Sequence, residues 1–113
     1  MFFDRPASGE VSILVHISID SESEREDPTE FEELAISAGA MPVDFITGSR
    51  KQPSSTYFVG SGKLEEIQAA DLAHSAELVL FNHSLSPSQE RNLEQQLECR
   101  VLDRTGLILD IFA

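Results

Sequence analysis

From Val11 to Ile19 the chain alternates, with Val11, Ile13, Val15, Ile17 and Ile19 on one side and Ser12, Leu14, His16 and Ser18 on the other. A period of two is that of a strand. Leu14 makes the second side partly apolar, as helices covering both sides require. Phe31, Leu34, Ala35 and Ala38 then recur at i, i+3, i+4 and i+7, the spacing of one helical face. Asp27-Pro28-Thr29-Glu30 ahead of them reads as a capping box with proline at the first helical position, and Gly39 behind them suits a left-handed stop. This predicts a helix over 28–38. A strand over 41–47 follows, carrying Val43, Phe45 and Ile46, and then nine residues without periodicity, Gly48 to Thr56. Tyr57-Phe58-Val59 reads as a short extra strand, and Gly60-Ser61-Gly62 as a turn. A weaker helix over 62–74 carries Leu64, Ile67, Ala70 and Ala73.

Leu78 to Phe81 is apolar without alternation, the mark of a parallel strand buried on both faces, and is predicted over 78–82. Ser86-Pro87-Ser88-Gln89 is an N-cap, a proline at the first position and a glutamine placed to close a capping box, with Leu93 and Leu97 one turn apart behind it. A helix over 86–98 leads into a strand over 100–103. The unit is therefore a right-handed βαβ crossover. Leu107, Ile108, Ile111 and Phe112 form a last helical stripe that needs a partner, and the sequence stops one residue later. The expectation is a piece of a longer protein, with the α/β unit over 1–105 and the start of a linker helix over 106–113.

Strands and helices in this alternation specify an α/β fold with three layers, a mostly parallel four-stranded sheet between helices on both faces. The order 2-1-3-4 is expected, with the first strand interior and the 41–47 strand beside it.

Eight basic against twenty acidic residues give a formal charge of -12, which opposes wrapping of a phosphate backbone by the chain as a whole. The acids are unevenly placed. Eight fall between Asp20 and Glu33, whereas Phe45 to Lys63 holds Arg50, Lys51 and Lys63 and no acid. A local basic face is thus compatible with an acidic average. The single cysteine, Cys99, excludes an intrachain disulfide and fits a packing role. No signal-like start or 18-residue apolar run is present, so cytoplasm is the expected compartment.

Gly60-Ser61-Gly62-Lys63 before a helix can offer backbone donors and an ammonium to a phosphate. A complete phosphate loop would need glycine at Tyr57 and serine or threonine at Leu64, so nucleotide hydrolysis is not expected from it. Arg50 and Lys51 follow a strand at the carboxyl edge of the sheet, where open α/β sheets place ligands, and both can contact phosphate oxygens. His83, Ser84, Asp103 and Arg104 gather at two further strand ends. The pattern around Ser84 is not a nucleophile elbow, so no catalytic residue is assigned and Asp103 and Arg104 are read as anchors of the terminal helix. His16, His74, His83 and Cys99 are too dispersed along the chain to suggest a metal site.

Four blocks in order carry a resemblance: Ile46-Thr47-Gly48-Ser49-Arg50-Lys51, Tyr57-Phe58-Val59-Gly60-Ser61-Gly62-Lys63, Leu85 to Glu94, and Asp103 to Ala113. With Phe2-Phe3-Asp4-Arg5 and Val15-His16-Ile17 added, essentially the whole chain resembles the amino-terminal domain of the HflX family of bacterial ribosome-associated GTPases. The resemblance implies a non-catalytic scaffold joined to a helical hairpin and a GTPase domain. GTP and magnesium would be bound in the latter. It further implies a partner, the large ribosomal subunit, and a role in splitting stalled ribosomes, notably under heat stress. Arg50, Lys51 and Lys63 become candidate ribosome or RNA contacts, with Asp103, Arg104, Leu107, Ile108, Ile111 and Phe112 as candidate anchors toward neighbouring domains. The alternatives are an ATP-binding α/β domain and a purely structural one.

Overall fold

The computed structural model describes residues 10–19 and 28–112, with side chains as far as Ile108. Phe2, Phe3, the acid-rich loop before residue 28 and the Asp27 cap lie outside the described residues. The elements are β1 (Glu10–Ile19), α1 (Pro28–Ser37), β2 (Ala40–Arg50), α2 (Ser61–His74), β3 (Leu78–Phe81), α3 (Pro87–Leu97), β4 (Arg100–Leu102) and α4 (Arg104–Phe112). The four strands form one sheet in the order β2-β1-β3-β4, and each pairing is parallel. The expected order and interior position of β1 are therefore observed.

The alternation of β1 divides the core. Ile13, Val15, Ile17 and Ile19 join Ile67 of α2 and Leu93 and Leu97 of α3 on one face. Leu14 joins Phe31 and Ala35 of α1 and Leu107 of α4 on the other. Both faces of β1 and β3 are covered, so Leu78, Val79, Leu80 and Phe81 are all buried and show no alternation.

Local signals set the helix ends. Gln89 donates its backbone N–H to Ser86 Oγ at 3.1 Å, and its Oε1 accepts from the Ser86 N–H at 2.8 Å, completing the capping box at α3. Gly39 closes the turn after α1 with φ 94°, a conformation that costs a side-chain-bearing residue more.

Two expectations are corrected. Tyr57-Phe58-Val59 is not a strand: Ser54 and Phe58 make one antiparallel bridge, with backbone bonds of 3.0 and 3.1 Å. Phe58 adopts φ 69° there, a strained state for a bulky residue worth roughly 1–3 kcal/mol. Burial of its ring against Phe81 and His83 offsets that strain. The second strand, expected to stop at Thr47, continues through Gly48 and Ser49 to Arg50, paired with Ile17, Ser18 and Ile19. The polar segment that follows is fastened to α3, since Gln89 Nε2 donates to Ser54 O and Asn92 Nδ2 donates to Thr56 O.

Candidate functional site

The carboxyl edge of the sheet carries two groups of polar side chains. The first lies where the end of β2 faces the start of α2. Extension of β2 puts Arg50 at the strand end itself, and its Nε donates to Gln52 O at 3.1 Å. Its guanidinium crosses directly over Gly60, in the space that a Cβ at residue 60 would need. Lys63 crosses the other way, its Cε only 2.8 Å from where a Cβ at Gly48 would lie. The two glycines are thus what lets both long side chains span the gap. Ile17, Ser49, Arg50, Val59, Gly60 and Lys63 contribute to the walls of a cleft of about 320 Å³ there.

Gly60 is the N-cap of α2, with extended backbone and no side chain capping the helix. Ser61, Gly62 and Lys63 form its first turn, so N–H groups not used within the helix converge on the cleft. Lys63 is not idle. Its Nζ donates to Thr47 O at 2.8 Å and pairs with Glu66 at 2.7 Å. The stretch without acids in sequence therefore has an acid beside it in space. The i, i+3 spacing of Lys63 and Glu66 on the predicted helix was the signal for this. Lys51, next to Arg50 in sequence, is exposed.

The second group lies at the ends of β3 and β4. β3 stops at Phe81, which would leave the backbone N–H of Ile17 without a strand partner; His83 supplies it, Nε2 accepting that N–H at 2.8 Å in a buried setting. The ring stands 5.4 Å from His16 and 4.7 Å from Phe58, centroid to centroid. Burial, then the nearby His16 and Arg104, lower the His83 pKa to about 4, so the neutral ring accepts with Nε2. Asn82 Nδ2 lies 3.0 Å from His16 Nδ1.

His16 and His83, separated by 67 positions in sequence and judged dispersed on that basis, are neighbours in the fold. His83 Nε2 is engaged by the Ile17 N–H, and among the described residues no three His, Cys, Asp or Glu side chains are grouped so as to hold an ion. Asp103 does not orient His83 as a triad acid would. Its Oδ2 accepts from the Leu85 N–H at 3.1 Å and its Oδ1 from the Gly106 N–H at 2.8 Å. Arg104 N–H donates to His83 O. Asp103 thus caps α4 and ties it to the loop after β3. Leu107 is buried in the domain's own second core, Ile108 is partly exposed, and the side chains of Ile111 and Phe112 lie outside the described residues.

A four-stranded parallel sheet covered by helices on both faces, with polar side chains bound mainly to backbone at its carboxyl edge, defines a three-layer α/β domain as the class. The model of the GTP-binding GTPase N-terminal family matches residues 25–113, and the chain belongs to that family. Its sequence is 58% identical to GTPase HflX of Escherichia coli K12 over 111 residues, covering 98% of this chain and 26% of that protein. GTPase HflX of Caldanaerobacter subterraneus is 41% identical over 104 residues, 92% of this chain and 24% of the relative. The chain thus spans about a quarter of the length of these relatives, and it matches the N-terminal domain of HflX, not the catalytic G domain. A GTP-binding protein from the archaeon Sulfolobus solfataricus, solved with GDP, superposes with a TM-score of 0.66 at 22% identity. The match covers 90% of this chain and 30% of that one and shows the shared fold. Among the described residues, no helix is long and apolar enough to cross a membrane.

Proposed function

We propose that this domain is the ribosome-contacting scaffold of a cytoplasmic GTPase that binds the large ribosomal subunit and splits or rescues stalled ribosomes. Residues 1–105 are the positioning unit, and 106–113 lead toward helical and GTP-hydrolysing parts, where GTP and magnesium are bound. The observation that carries the reading is the convergence of Arg50 and Lys63 on one cleft through Gly48 and Gly60, with the exposed Lys51 next in sequence to Arg50, in a chain of net charge -12. Basic side chains concentrated on one edge let an otherwise acidic domain approach phosphates. Asp103 and Arg104 hold the start of α4 at the same end of the sheet, which is how the contact edge is positioned relative to whatever follows Leu107, Ile108, Ile111 and Phe112.

In the complete GTPase, R50Q/K51Q/K63Q is expected to weaken co-sedimentation with the large subunit. The slope of log affinity against log salt should fall by roughly two to three for three phosphate contacts, and by less if Glu66 already neutralises Lys63. Equal binding by variant and parent at low salt would remove this edge from the contact surface.

A second reading, phosphate binding by Gly60, Ser61, Gly62 and Lys63, is favoured by the uncapped start of α2. Leu64 stands where a magnesium-binding hydroxyl would be needed and the Lys63 ammonium is already engaged. Titration calorimetry of the 113-residue chain with ATP or GTP at micromolar concentration is therefore expected to give no saturable heat. A saturable signal lost in K63Q would establish the second reading.

A further inference from the structure

The opposite, amino edge of the sheet holds a cleft of different character. α2 and α3 run back against the strands, so their carboxyl ends meet there, at Ser75 and Glu98. Both residues are left-handed C-caps, with φ 51° and 57°, whose N–H groups return to Asp71 O and Glu94 O. Two helix ends of negative polarity therefore face one space of about 320 Å³, bordered by Gln68, Asp71, Leu72, Ala76, Leu97 and Glu98.

Asp71 is the informative residue. Its side chain is among the buried polar groups, with 8% of the residue's surface exposed, yet it lines the cleft. Neither the Lys63–Glu66 nor the Arg100–Glu10 ion pair includes it. Its side-chain hydrogen bond is with the Cys99 thiol, a weak donor. A buried carboxyl is normally matched by a cation, because desolvation otherwise disfavours its charged form. Burial, and then Glu98, do raise the Asp71 pKa. Burial and Asp71 push the Cys99 thiol up to about 12, so it remains a protonated neighbour and not a competing nucleophile.

The apolar components suit the same occupant. Leu72 is 77% exposed at the rim, and Leu97 and Ala76 border the interior. A long basic side chain lays its methylenes on such surface while its charged tip reaches a carboxylate. We infer that this cleft receives an arginine or lysine side chain from a basic segment of a protein partner, with Asp71 as the buried counter-charge and Glu98 at the rim. Nucleic acid is a poor occupant, since Asp71, Glu98 and both helix ends repel phosphate. The inference is independent of the basic carboxyl edge.

The test uses the 113-residue chain and acetyl-Arg-Arg-Arg-amide as probe, with acetyl-Gln-Gln-Gln-amide for comparison, followed by backbone amide NMR shifts. Saturable shifts confined to residues 68–76 and 96–99 are expected for the arginine peptide alone. Asp71→Asn should weaken binding by about tenfold or more, as loss of a buried charge partner does. Glu98→Gln should weaken it by about fivefold at most, the scale of an exposed pair. Should Asp71→Asn fail to fold, the exposed Glu98→Gln still decides, judged against the charge-matched Glu32→Gln on the far side of the sheet. Equal weakening by Glu98→Gln and Glu32→Gln would reduce the effect to net charge and overturn the inference. So would shifts scattered over the surface, absence of saturation, or the same residues responding to a single-stranded RNA oligonucleotide.

Discussion

Replacing His83 by alanine is expected to destabilise the domain by about 3 kcal/mol or more and to flatten its stability between pH 6.5 and 4. The substitution strands the buried Ile17 N–H, worth about 1–3 kcal/mol, and opens space beside Phe58 and His16. The pH dependence has a definite sign. The folded ring takes a proton only near pH 4, whereas the unfolded histidine does so near 6.5, so the unfolded state binds the proton first. The contribution of His83 is therefore fully present above about pH 6.5, declines as pH falls through that window and levels off below about pH 4. A gap of this size corresponds to about 3 kcal/mol. Asp71 and Glu90 have raised pKa values and act in the opposite direction on acidification. Comparing parent with His83→Ala at each pH cancels them. Urea unfolding at pH 7, 5.5 and 4 makes the measurement; parallel pH profiles for the two proteins would show that the ring is not held neutral by the fold.

The second large effect belongs to α3. Leu93→Ala should cost about 2–5 kcal/mol, because the side chain is fully buried in the core shared with β1, α2 and β4, and rigid strands cannot collapse into the void. Against the usual 5–15 kcal/mol of a small domain, that loss moves the urea midpoint far, and adding Leu97→Ala should leave little folded protein. Because the two leucines share one cluster, the double loss need not equal the sum. Leu72→Ala, at an exposed site on α2, is the internal standard and should stay within about 0.5 kcal/mol. A Leu93→Ala midpoint close to that of Leu72→Ala would contradict the assignment of α3 to the core.

These two residues differ in how they can be found. Leu93 is legible in sequence, because a capping box fixes the helix start and Leu97 repeats one turn later. His83 is not. Its importance depends on β3 ending at Phe81 while β1 continues to Ile19, a mismatch in strand lengths that leaves one N–H for a side chain to satisfy. Nothing near residue 83 in the sequence encodes that.

The sequence alone determined what short-range periodicity and end chemistry control. That includes the alternating β1, the buried β3, the capping box of α3, the stop at Gly39, and from their alternation a parallel three-layer α/β fold with the order 2-1-3-4. The physical reason is that these features arise within one or two turns or strand steps, where side-chain direction follows the local backbone. Tertiary structure decided the rest. It carried β2 on to Arg50 because Ile17 to Ile19 were there to pair with it, and it folded Tyr57 to Val59 into a strained turn that buries Phe58. It also placed Lys63 over Gly48 and Arg50 over Gly60, and put Asp71 into a cleft between the ends of α2 and α3. Each of those outcomes joins residues from separate elements, so it depends on which free backbone group or space the neighbouring element offers, and that is fixed only when the layers pack.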